Sequence, residues 1–427
     1  MSSVDLTATA PNPLRSPPPQ QCSSGTRFLR ALPALAMVGA MGAGLWTAIA
    51  KGLDTVEAGD LSPVALLSHE RRKALSQTLT TTGYADGVAR LEREATWLTL
   101  GDLGPQVRKG CPGWLFLADE LRVHPRAQAH ADARIETLAR IGRALQQRGI
   151  RLVVAVVPDK SRIESGQLCG LQRAPELANR AAQFVAGVRA AGIDVVDLEP
   201  VLRTATEDVF LRTDTHWNEA GSRLAAAAVA NAVRGTGIVL AAGAVPQLVA
   251  HPPSERQGDL VRLAGIERLP ARWLPSTDMV PQSTLADAGV VNGGSSAAVA
   301  PASANDLFGD ADLPQLAVVG TSFSRNAHFV PFLANALQAG VANFAKDGGD
   351  FAGAAEGYFN GAAFRQNPPR VVLWEMPERV IQMPLGAAEA RWLPLATQFG
   401  ATANAAPQVA PAPVAPAAAP VPGQRNH

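Results

Sequence analysis

The apolar run Leu152–Val157 constrains the fold more than any other segment of this 427-residue chain. It has the length of a strand and consists of Leu, Val and Ala only, a composition typical of parallel strands buried on both faces. Helical patterns flank it at 134–147 and 176–191. Further strands are predicted at 193–197, 315–319, 341–344 and 370–373. This alternation predicts an α/β fold with a doubly wound, mostly parallel sheet of about five strands and functional residues at their carboxyl ends.

A charge-free, largely apolar run, Ala31–Ala50, lies near the N-terminus. As a helix it spans a bilayer core of about 30 Å. Arg27 and Arg30 precede it, so the N-terminus is expected to stay in the cytoplasm and the rest of the chain to be exported. We therefore expect residues 27–50 to be a single-pass transmembrane anchor in the cell inner membrane. The alternative is a signal peptide cleaved after Ala48–Ala50, which leaves a soluble periplasmic protein.

Differences in composition along the chain predict the boundaries of its other segments. Residues 1–26 are rich in Ser, Pro and Gln and are predicted to be a disordered cytoplasmic leader. Residues 51–106 have helical spacing without a catalytic signature and are predicted to be a stalk. The main domain is expected over 107–399. Within it, 284–309 carries few large apolar groups, which predicts a disordered insertion, and the Ala/Pro-rich residues 400–427 predict a flexible tail.

Charge and cysteine content exclude several classes of protein. Lys and Arg number 38 and Asp and Glu 37, so the chain lacks the basic excess that nucleic-acid binding requires. The cysteine spacing fits no zinc site, and we expect neither a metal nor a cofactor. Cys22 precedes the apolar run and should be a free thiol on the reducing side. Cys111 and Cys169 lie beside turn residues in the exported part, where we expect a disulfide between them; two unpaired thiols are the alternative.

The segment Asp214-Thr215-His216 contains two side chains that suit acid–base chemistry. In an extended stretch residues i and i+2 point to the same side, so Asp214 can orient the imidazole of His216 and stabilise its protonated form. Asn218 caps a helix predicted over 219–233. The alternative is a capping Asp beside a partly buried His.

A second segment, Gly320-Thr321-Ser322, directly follows the strand predicted to end at residue 319. A serine there is exposed at the top of the sheet, where backbone N–H groups of the turn can face an oxyanion. Ser322 is the predicted nucleophile, and Ser324 is the alternative. An ordinary Ser/Thr-rich turn is the simpler interpretation of this segment alone.

The order of these segments resembles that of SGNH-type esterases with one block moved. In those enzymes the nucleophile turn comes first and the Asp/His block last. Here the Asp/His block comes first, as in a circular permutation, and with Asp-x-His in place of Asp-x-x-His the chain is similar to the alginate O-acetyltransferase family (AlgJ/AlgX type). Further matching motifs, across about residues 107–395, are Gly113–Leu117, Val157–Lys160, Gly258–Leu260, Val319–Ser324 and Trp374–Arg379.

This resemblance implies an SGNH hydrolase-like fold and an O-acetyltransferase that moves acetyl groups onto hydroxyls of an exported, alginate-like or other exopolysaccharide. It implies an acyl-enzyme on Ser322, with His216 as base and Asp214 orienting it. The expected partner is a membrane-bound O-acyltransferase that supplies acetyl groups. The alternatives are an exported carbohydrate esterase that removes acyl groups, a polysaccharide-binding scaffold, and a metal-dependent enzyme that uses His216 and Asp214.

The oxyanion hole departs from the pattern of SGNH esterases. Those enzymes supply an Asn from the third block, whereas the matching strand end here reads Trp374-Glu375-Met376. The oxyanion donors are therefore expected among backbone N–H groups, Asn343 and Gly349.

Four residues are candidates for substrate binding. Lys160 and Arg162 follow the strand 152–157 and are expected either to meet a uronate carboxylate or to be solvated loop charges. Trp217 is expected either to stack on a sugar ring or to cover His216 as a core residue. Arg379 is the weakest of these candidates.

Overall fold

The structure is a computed structural model of the chain, which separates into two units, Met1–Glu92 and Arg93–His427. Among the described residues, no helix is both long and apolar enough to cross a bilayer. The predicted leader, most of the predicted anchor, Cys22 and the predicted tail lie outside the described residues. The described residues are 83–243, 245–281, 283–286 and 313–399, with the isolated positions 39, 42–44 and 46.

Short strands alternate with helices along the described chain. The strands are β1 (Val107–Lys109), β2 (Leu115–Leu117), β3 (Arg151–Val157), β4 (Asp194–Asp197), β5 (Gln247–Val249), β6 (Ser254–Arg256), β7 (Asp278–Val280), β8 (Thr284–Ala286), β9 (Leu316–Val319), β10 (Val341–Asn343) and β11 (Val371–Pro377). The helices are α1 (Gly83–Leu100), α2 (Ala127–Gln146), α3 (Lys160–Ile163), α4 (Arg180–Ala190), α5 (Glu199–Arg203), α6 (Glu219–Gly235), α7 (Asp259–Leu263), α8 (Phe329–Leu337), α9 (Gly353–Asn360), α10 (Ala362–Gln366) and α11 (Ala387–Trp392).

Five strands form one sheet in the order β10-β9-β11-β3-β4, and every neighbouring pair in it is parallel. The longest ladder joins β3 to β11 at the centre. Antiparallel pairs are β1 with β2, β5 with β8, and β6 with β7. The prediction of a parallel sheet of about five strands is thus confirmed, and each predicted strand of the sheet begins within one residue of its observed start.

The central strand β3 is buried on both faces, as its apolar run predicts. Leu152, Val154 and Val156 pack on one face against side chains of α2 and α4. Val153, Ala155 and Val157 pack on the other face against side chains of α6 and α8. Burying a valine side chain in this way stabilises the fold by about 1.5–3 kcal/mol relative to leaving it exposed.

The predicted disordered insertion begins too early. Residues 284–286 form β8, which pairs with β5 antiparallel, so backbone hydrogen bonding forms a strand at the start of a segment that carries few large apolar groups. Residues 287–309 lie outside the described residues. Of the predicted stalk 51–106, residues 51–82 lie outside the described residues, and the remainder contains α1.

Cys111 and Cys169 form a disulfide, with their Cα atoms 5.0 Å apart. The backbone N–H of Cys111 also donates to the carbonyl of Gln167. The bond therefore joins the β1–β2 connection to the turn that follows α3, which is the pairing the sequence predicts.

Reduction of this disulfide is expected to lower the free energy of unfolding by about 4 kcal/mol, because a loop of this length regains its closure entropy in the unfolded chain. The sequence separation of the two cysteines is 58. Denaturant unfolding of the full-length chain with and without reductant measures the difference. Cys22→Ser is the matched control and should leave the unfolding curve unchanged; equal stability of the oxidised and reduced chains would contradict the prediction.

Candidate active site

The segment around His216 is folded by its own hydrogen bonds. Asp214 Oδ1 accepts from the backbone N–H of His216 at 3.0 Å and lies 2.6 Å from Nδ1 of the same residue. Asn218 then caps α6, because its Oδ1 accepts from Gly221 N at 3.0 Å. The short turn between acid and base therefore places both side chains on one side, as the spacing predicts.

Ser322 completes a continuous chain of hydrogen bonds. It is the first residue of a 3₁₀ turn, 322–324, which follows β9 at the carboxyl edge of the sheet. Its Oγ lies 2.7 Å from Nε2 of His216. When the N–H at Nδ1 donates to Asp214, Nε2 carries a lone pair and accepts a hydrogen bond from the Ser322 hydroxyl. Nucleophile, base and orienting acid thus stand in the geometry of a catalytic triad.

A buried carboxylate that no sequence motif indicates supports the nucleophile turn. Glu375, in β11, accepts from the N–H of Thr321 at 2.7 Å, from its hydroxyl at 2.9 Å, and from the hydroxyl of Ser324 at 2.9 Å. Ser324 is therefore engaged away from His216, which favours Ser322 as the nucleophile. A Cβ at position 320 would lie 2.6 Å from Glu375 Oε2, so the turn requires Gly320. Burial raises the pKa of Glu375, and the three donated hydrogen bonds oppose that rise.

Glu375→Gln is expected to lower the free energy of unfolding by about 1–3 kcal/mol, because the amide nitrogen cannot accept from these donors and brings two N–H groups of its own, so a buried polar group is left unpaired. Ester hydrolysis should fall as well, since the turn that presents Ser322 loses its support. Thermal unfolding and an acetyl-ester assay measure the two effects. Glu136→Gln, an exposed position on α2, is the control; equal unfolding temperatures of the two variants would contradict the prediction.

The segment before His216 is held by Asp278 of β7. Its carboxylate accepts from the N–H of Arg212 at 2.7 Å, and from the N–H and hydroxyl of Thr213 at 3.0 and 2.6 Å. Gly258 packs so closely here that a Cβ would lie 2.1 Å from the Thr213 carbonyl oxygen. The β6–β7 pair therefore positions the acid and base of the triad from one side.

Two further charged residues surround Asp214. The backbone N–H of Asp259 donates to Asp214 Oδ2 at 3.1 Å, and Arg256 Nη2 lies 3.4 Å from the same oxygen. Burial alone would raise the pKa of Asp214, but the hydrogen bond from His216 and the charges of His216 and Arg256 hold it well below its usual range. Burial and the neighbouring Asp214 raise the pKa of Asp259. The Gly258–Leu260 motif pointed to Asp259, whereas no signal in the sequence pointed to Arg256.

Asp214, His216 and Asp259 also form a compact set of metal-type donors, whose atoms lie within 4.8 Å of one another. Both nitrogens of His216 are already engaged, however, one by Asp214 and the other by Ser322. A metal ion would have to displace one of these hydrogen bonds, so the geometry favours a proton relay over a metal centre.

The predicted contact between Lys160 and a uronate carboxylate is wrong, because Lys160 does not face the substrate side of the site. The side chain is fully buried, and its Nζ donates to three backbone carbonyls, those of Leu115 at 2.6 Å, Arg212 at 2.8 Å and Asp214 at 3.0 Å. The Trp114 and Phe116 rings lie 5.1 and 5.0 Å from the ammonium. Burial lowers the pKa of Lys160 to about 8, and the nearby carboxylates of Glu120 and Asp278 oppose that shift. Lys160 holds the triad loop in place.

Arg162 is also buried, and its predicted substrate role is wrong. Its guanidinium pairs with Glu378 at 2.7 and 2.6 Å and donates to the carbonyls of Leu177 and Ala178. Arg173 and Arg180 contact the same carboxylate. Burial alone would raise the pKa of Glu378, but the hydrogen bonds from Arg162 and the charges of the three arginines lower it to about 2. This network fixes the end of β11 to the segment after β3.

Trp217 is a core residue, which was one of its two predicted roles. It is fully buried and packs between Phe323 at 5.0 Å and Phe329 at 5.3 Å between ring centroids. Stacking on a sugar is thereby excluded. Arg379 is half-buried, and its guanidinium lies 5.5 Å from the Phe323 ring centre, beside the nucleophile turn. Its role in substrate binding stays a prediction.

The two named oxyanion candidates are already hydrogen bonded. Gly349 donates its N–H to the Lys346 carbonyl at 3.0 Å within a turn. Its N–H is therefore not free to bind an oxyanion, and the prediction of that role is wrong. Asn343 donates from Nδ2 to the Ser324 carbonyl at 3.1 Å. Its amide therefore steadies the nucleophile turn, and its oxyanion role stays a prediction.

Comparison with known sequences identifies proteins that are similar to this chain. The profile of the SGNH hydrolase-like domain of acetyltransferase AlgX matches residues 107–378. The probable alginate O-acetylase AlgJ of Pseudomonas aeruginosa is 34% identical over 299 residues, which cover 68% of this chain and 74% of that protein. The probable alginate O-acetylase AlgJ of Pseudomonas putida is 31% identical over 296 residues, with the same shares.

Solved structures agree with the sequence comparison. The O-acetyltransferase domain of Pseudomonas putida AlgJ superposes with a TM-score of 0.58 at 29% identity, and the match covers 69% of this chain and 99% of that one. Pseudomonas aeruginosa AlgX matches with a TM-score of 0.51 at 22% identity, over 69% of this chain and 66% of that one, a likeness in fold alone. The chain therefore belongs to the AlgX-type family of SGNH hydrolase-like acetyltransferases.

Proposed function

We propose that the chain is a polysaccharide O-acetyltransferase that uses Ser322 as its nucleophile. The observation that carries this proposal is the unbroken hydrogen-bond chain from Ser322 through His216 to Asp214, in a member of an acetyltransferase family. A hydroxyl without a base is a poor nucleophile at neutral pH, and the adjacent imidazole supplies that base.

The reaction proceeds in two half-reactions. In the first, His216 Nε2 takes the Ser322 proton while Oγ attacks the acetyl carbonyl, and the leaving group of the donor departs with that proton. In the second, a sugar hydroxyl gives its proton to Nε2 and attacks the acetyl-serine. The bond from Oγ to the acetyl carbon breaks, and the proton returns to Ser322. Asp214 stabilises the imidazolium of both half-reactions.

The oxyanion hole is proposed to include the backbone N–H of Ser322. This residue begins a 3₁₀ turn, where the first N–H groups have no acceptor within the turn. The N–H and Oγ of the same residue would then approach one carbonyl group from two sides, which stabilises the negative charge of the tetrahedral intermediate.

The proposed acceptor is an exported uronate polymer such as alginate, because two relatives carry the name probable alginate O-acetylase. The chain is proposed to be anchored by residues 27–50 in the inner membrane with its catalytic domain in the periplasm. A membrane-bound O-acyltransferase would supply the acetyl groups. A tether keeps the site at a high effective concentration near that supply.

An acetyl-transfer assay tests the proposal. The full-length chain, purified in detergent, is incubated with a chromogenic acetyl ester and alginate oligomers, and the oligomers are analysed by mass spectrometry. Acetylated oligomers should appear with the wild-type chain. Release of free acetate alone, with unmodified oligomers, would show hydrolysis without transfer and overturn the transferase assignment.

Cell fractionation tests the anchor separately. The full-length chain should stay with inner membranes after the cell wall is removed, and protease added from the periplasmic side should digest its catalytic domain. Protein free in the periplasm with Lys51 at its N-terminus would instead identify a cleaved signal peptide.

A further inference from the structure

Two carboxylates, rather than one, lie beside the imidazole of His216. Nδ1 is 2.6 Å from Asp214 Oδ1 and 3.7 Å from Asp259 Oδ2. The hydroxyl of Thr215 donates to Asp259 Oδ2 at 2.6 Å and lies 3.2 Å from Nδ1, so it fills the space between them. A triad needs one acid to orient its base, and the second acid is an addition that the mechanism above does not use.

A second acid has a predictable electrostatic effect. A negative charge within about 4–6 Å of an imidazole favours its protonated form. A base that is already protonated cannot accept the proton of Ser322, so an uncompensated pair of carboxylates would shift activity toward higher pH.

Arg256 supplies the compensating charge. Its Nη2 lies 3.4 Å from Asp214 Oδ2, on the side of that carboxylate opposite the imidazole-bound oxygen, and its side chain is 37% exposed. Asp214, Asp259 and Arg256 together carry one net negative charge, which equals that of an ordinary triad with a single acid.

The other charged groups around the site occur in pairs of opposite sign. Lys160, in α3, donates to the carbonyl of Asp214, and Asp278, in β7, accepts from the N–H of Thr213. These two are opposite in sign. From the nucleophile turn, His216 faces the neutral side chains of Ser322 and Phe323. Two charged groups of opposite sign lie at that turn, the buried Glu375 carboxylate and the Arg379 guanidinium, which is 5.5 Å from the Phe323 ring centre.

We propose that Arg256 and Asp259 are paired positioning residues that set the proton affinity of His216, Asp259 raising it and Arg256 lowering it. The proposal rests on the role assigned above to the Ser322–His216–Asp214 triad. It requires the two residues to have opposite effects, which a purely structural role does not predict.

The pH dependence of kcat/KM on a neutral acetyl ester tests this opposition in the full-length chain. For Asp259→Asn the acidic limb should move to lower pH by about one unit, and for Arg256→Gln to higher pH by about one unit. The double variant should return close to the wild-type limb. Arg256→Lys keeps the charge and should restore the wild-type limb, while Arg262→Gln removes an exposed charge from α7 as a control and should not move it.

A second readout does not depend on activity. The titration of His216 is followed by NMR on chain with labelled histidines in a Ser322→Ala background, with the signal assigned from its loss in His216→Gln. The midpoints should move in the same two directions. If the wild-type chain hydrolyses no ester, the proposal for the triad fails. The NMR midpoints would still test the proposal for Arg256 and Asp259.

Two results would overturn the inference. One is a loss of kcat/KM by the same factor at every pH with unmoved limbs and midpoints, which indicates support of the loop alone. The other is a shift of both variants in the same direction. Unfolding temperatures of all variants, measured alongside, identify any variant whose loss of activity comes from a loss of fold.

Discussion

Ser322→Ala is expected to lower both ester hydrolysis and acetyl transfer by a factor of about 10⁴ to 10⁶, the loss typical when a triad nucleophile is removed. The fold should remain, because the Oγ contacts His216 at the edge of the site and supports no other element. Initial rates with a chromogenic acetyl ester measure the loss, and an unchanged unfolding temperature shows that the fold persists.

Ser324→Ala is the matched control for this prediction. Its hydroxyl donates to Glu375 and does not reach the imidazole, so activity should stay within about tenfold of wild type, a difference of about 1.4 kcal/mol in the activation barrier. Trapping the acetyl-enzyme and sequencing the modified peptide should place the acetyl group on Ser322. An acetyl group on Ser324, or a Ser322→Ala variant with near wild-type rates, would end the present assignment.

The sheet could be predicted because its signals are local. The apolar run at 152–157 needs no knowledge of distant residues to be identified as a strand buried on two faces. The order of strands in the sheet, with β11 between β9 and β3, depends on long-range pairing and was not predicted. The same is true of β8, whose order comes from its partner β5 rather than from its own composition.

The triad could be predicted for a related reason. Asp214 and His216 meet through i and i+2 geometry, and Ser322 follows a predictable strand. The contact between Ser322 and His216 spans a sequence separation of 106. The pairing of these two segments follows from the resemblance of their order to the alginate O-acetyltransferase family, and local sequence patterns alone do not predict it. No local pattern indicates the role of Glu375. Its hydrogen-bond partners, Thr321 and Ser324, are more than fifty positions away in the sequence and meet it only in the folded chain.

Lys160 and Arg162, which follow β3, show that a sequence pattern does not reveal the tertiary partners of a charged side chain. A Lys or Arg at the carboxyl end of a strand suits an anionic substrate as well as it suits buried acceptors. The acceptors of Lys160 come from segments about 45 to 54 positions away in the sequence, and Arg162 finds Glu378 across a separation of 216. Only the tertiary fold distinguishes a ligand-binding cation from a structural one.

Lys160→Met is expected to lower the free energy of unfolding by about 2–4 kcal/mol, because two buried carbonyl acceptors lose a charged donor. Methionine has a similar length but donates no hydrogen bond. The carbonyls of Leu115 and Asp214 would lose the ammonium as their donor, whereas the Arg212 carbonyl would keep the N–H of Leu115, which donates to it at 2.9 Å. Each buried acceptor left unpaired costs about 1–3 kcal/mol, and part of that sum is offset because the ammonium no longer has to be desolvated.

The kinetic consequence separates the structural role of Lys160 from a substrate role. One of the released carbonyls belongs to Asp214, so the acid and base of the triad lose part of their support, and kcat on a neutral acetyl ester should fall. A residue that bound only a uronate carboxylate would leave that kcat and the unfolding temperature unchanged and would raise KM for the polymer. Lys346→Met, at an exposed position, is the control for the loss of a positive charge. Wild-type stability of Lys160→Met, with a raised KM for alginate oligomers, would return Lys160 to the substrate site; lowered stability and kcat place it beneath the triad loop.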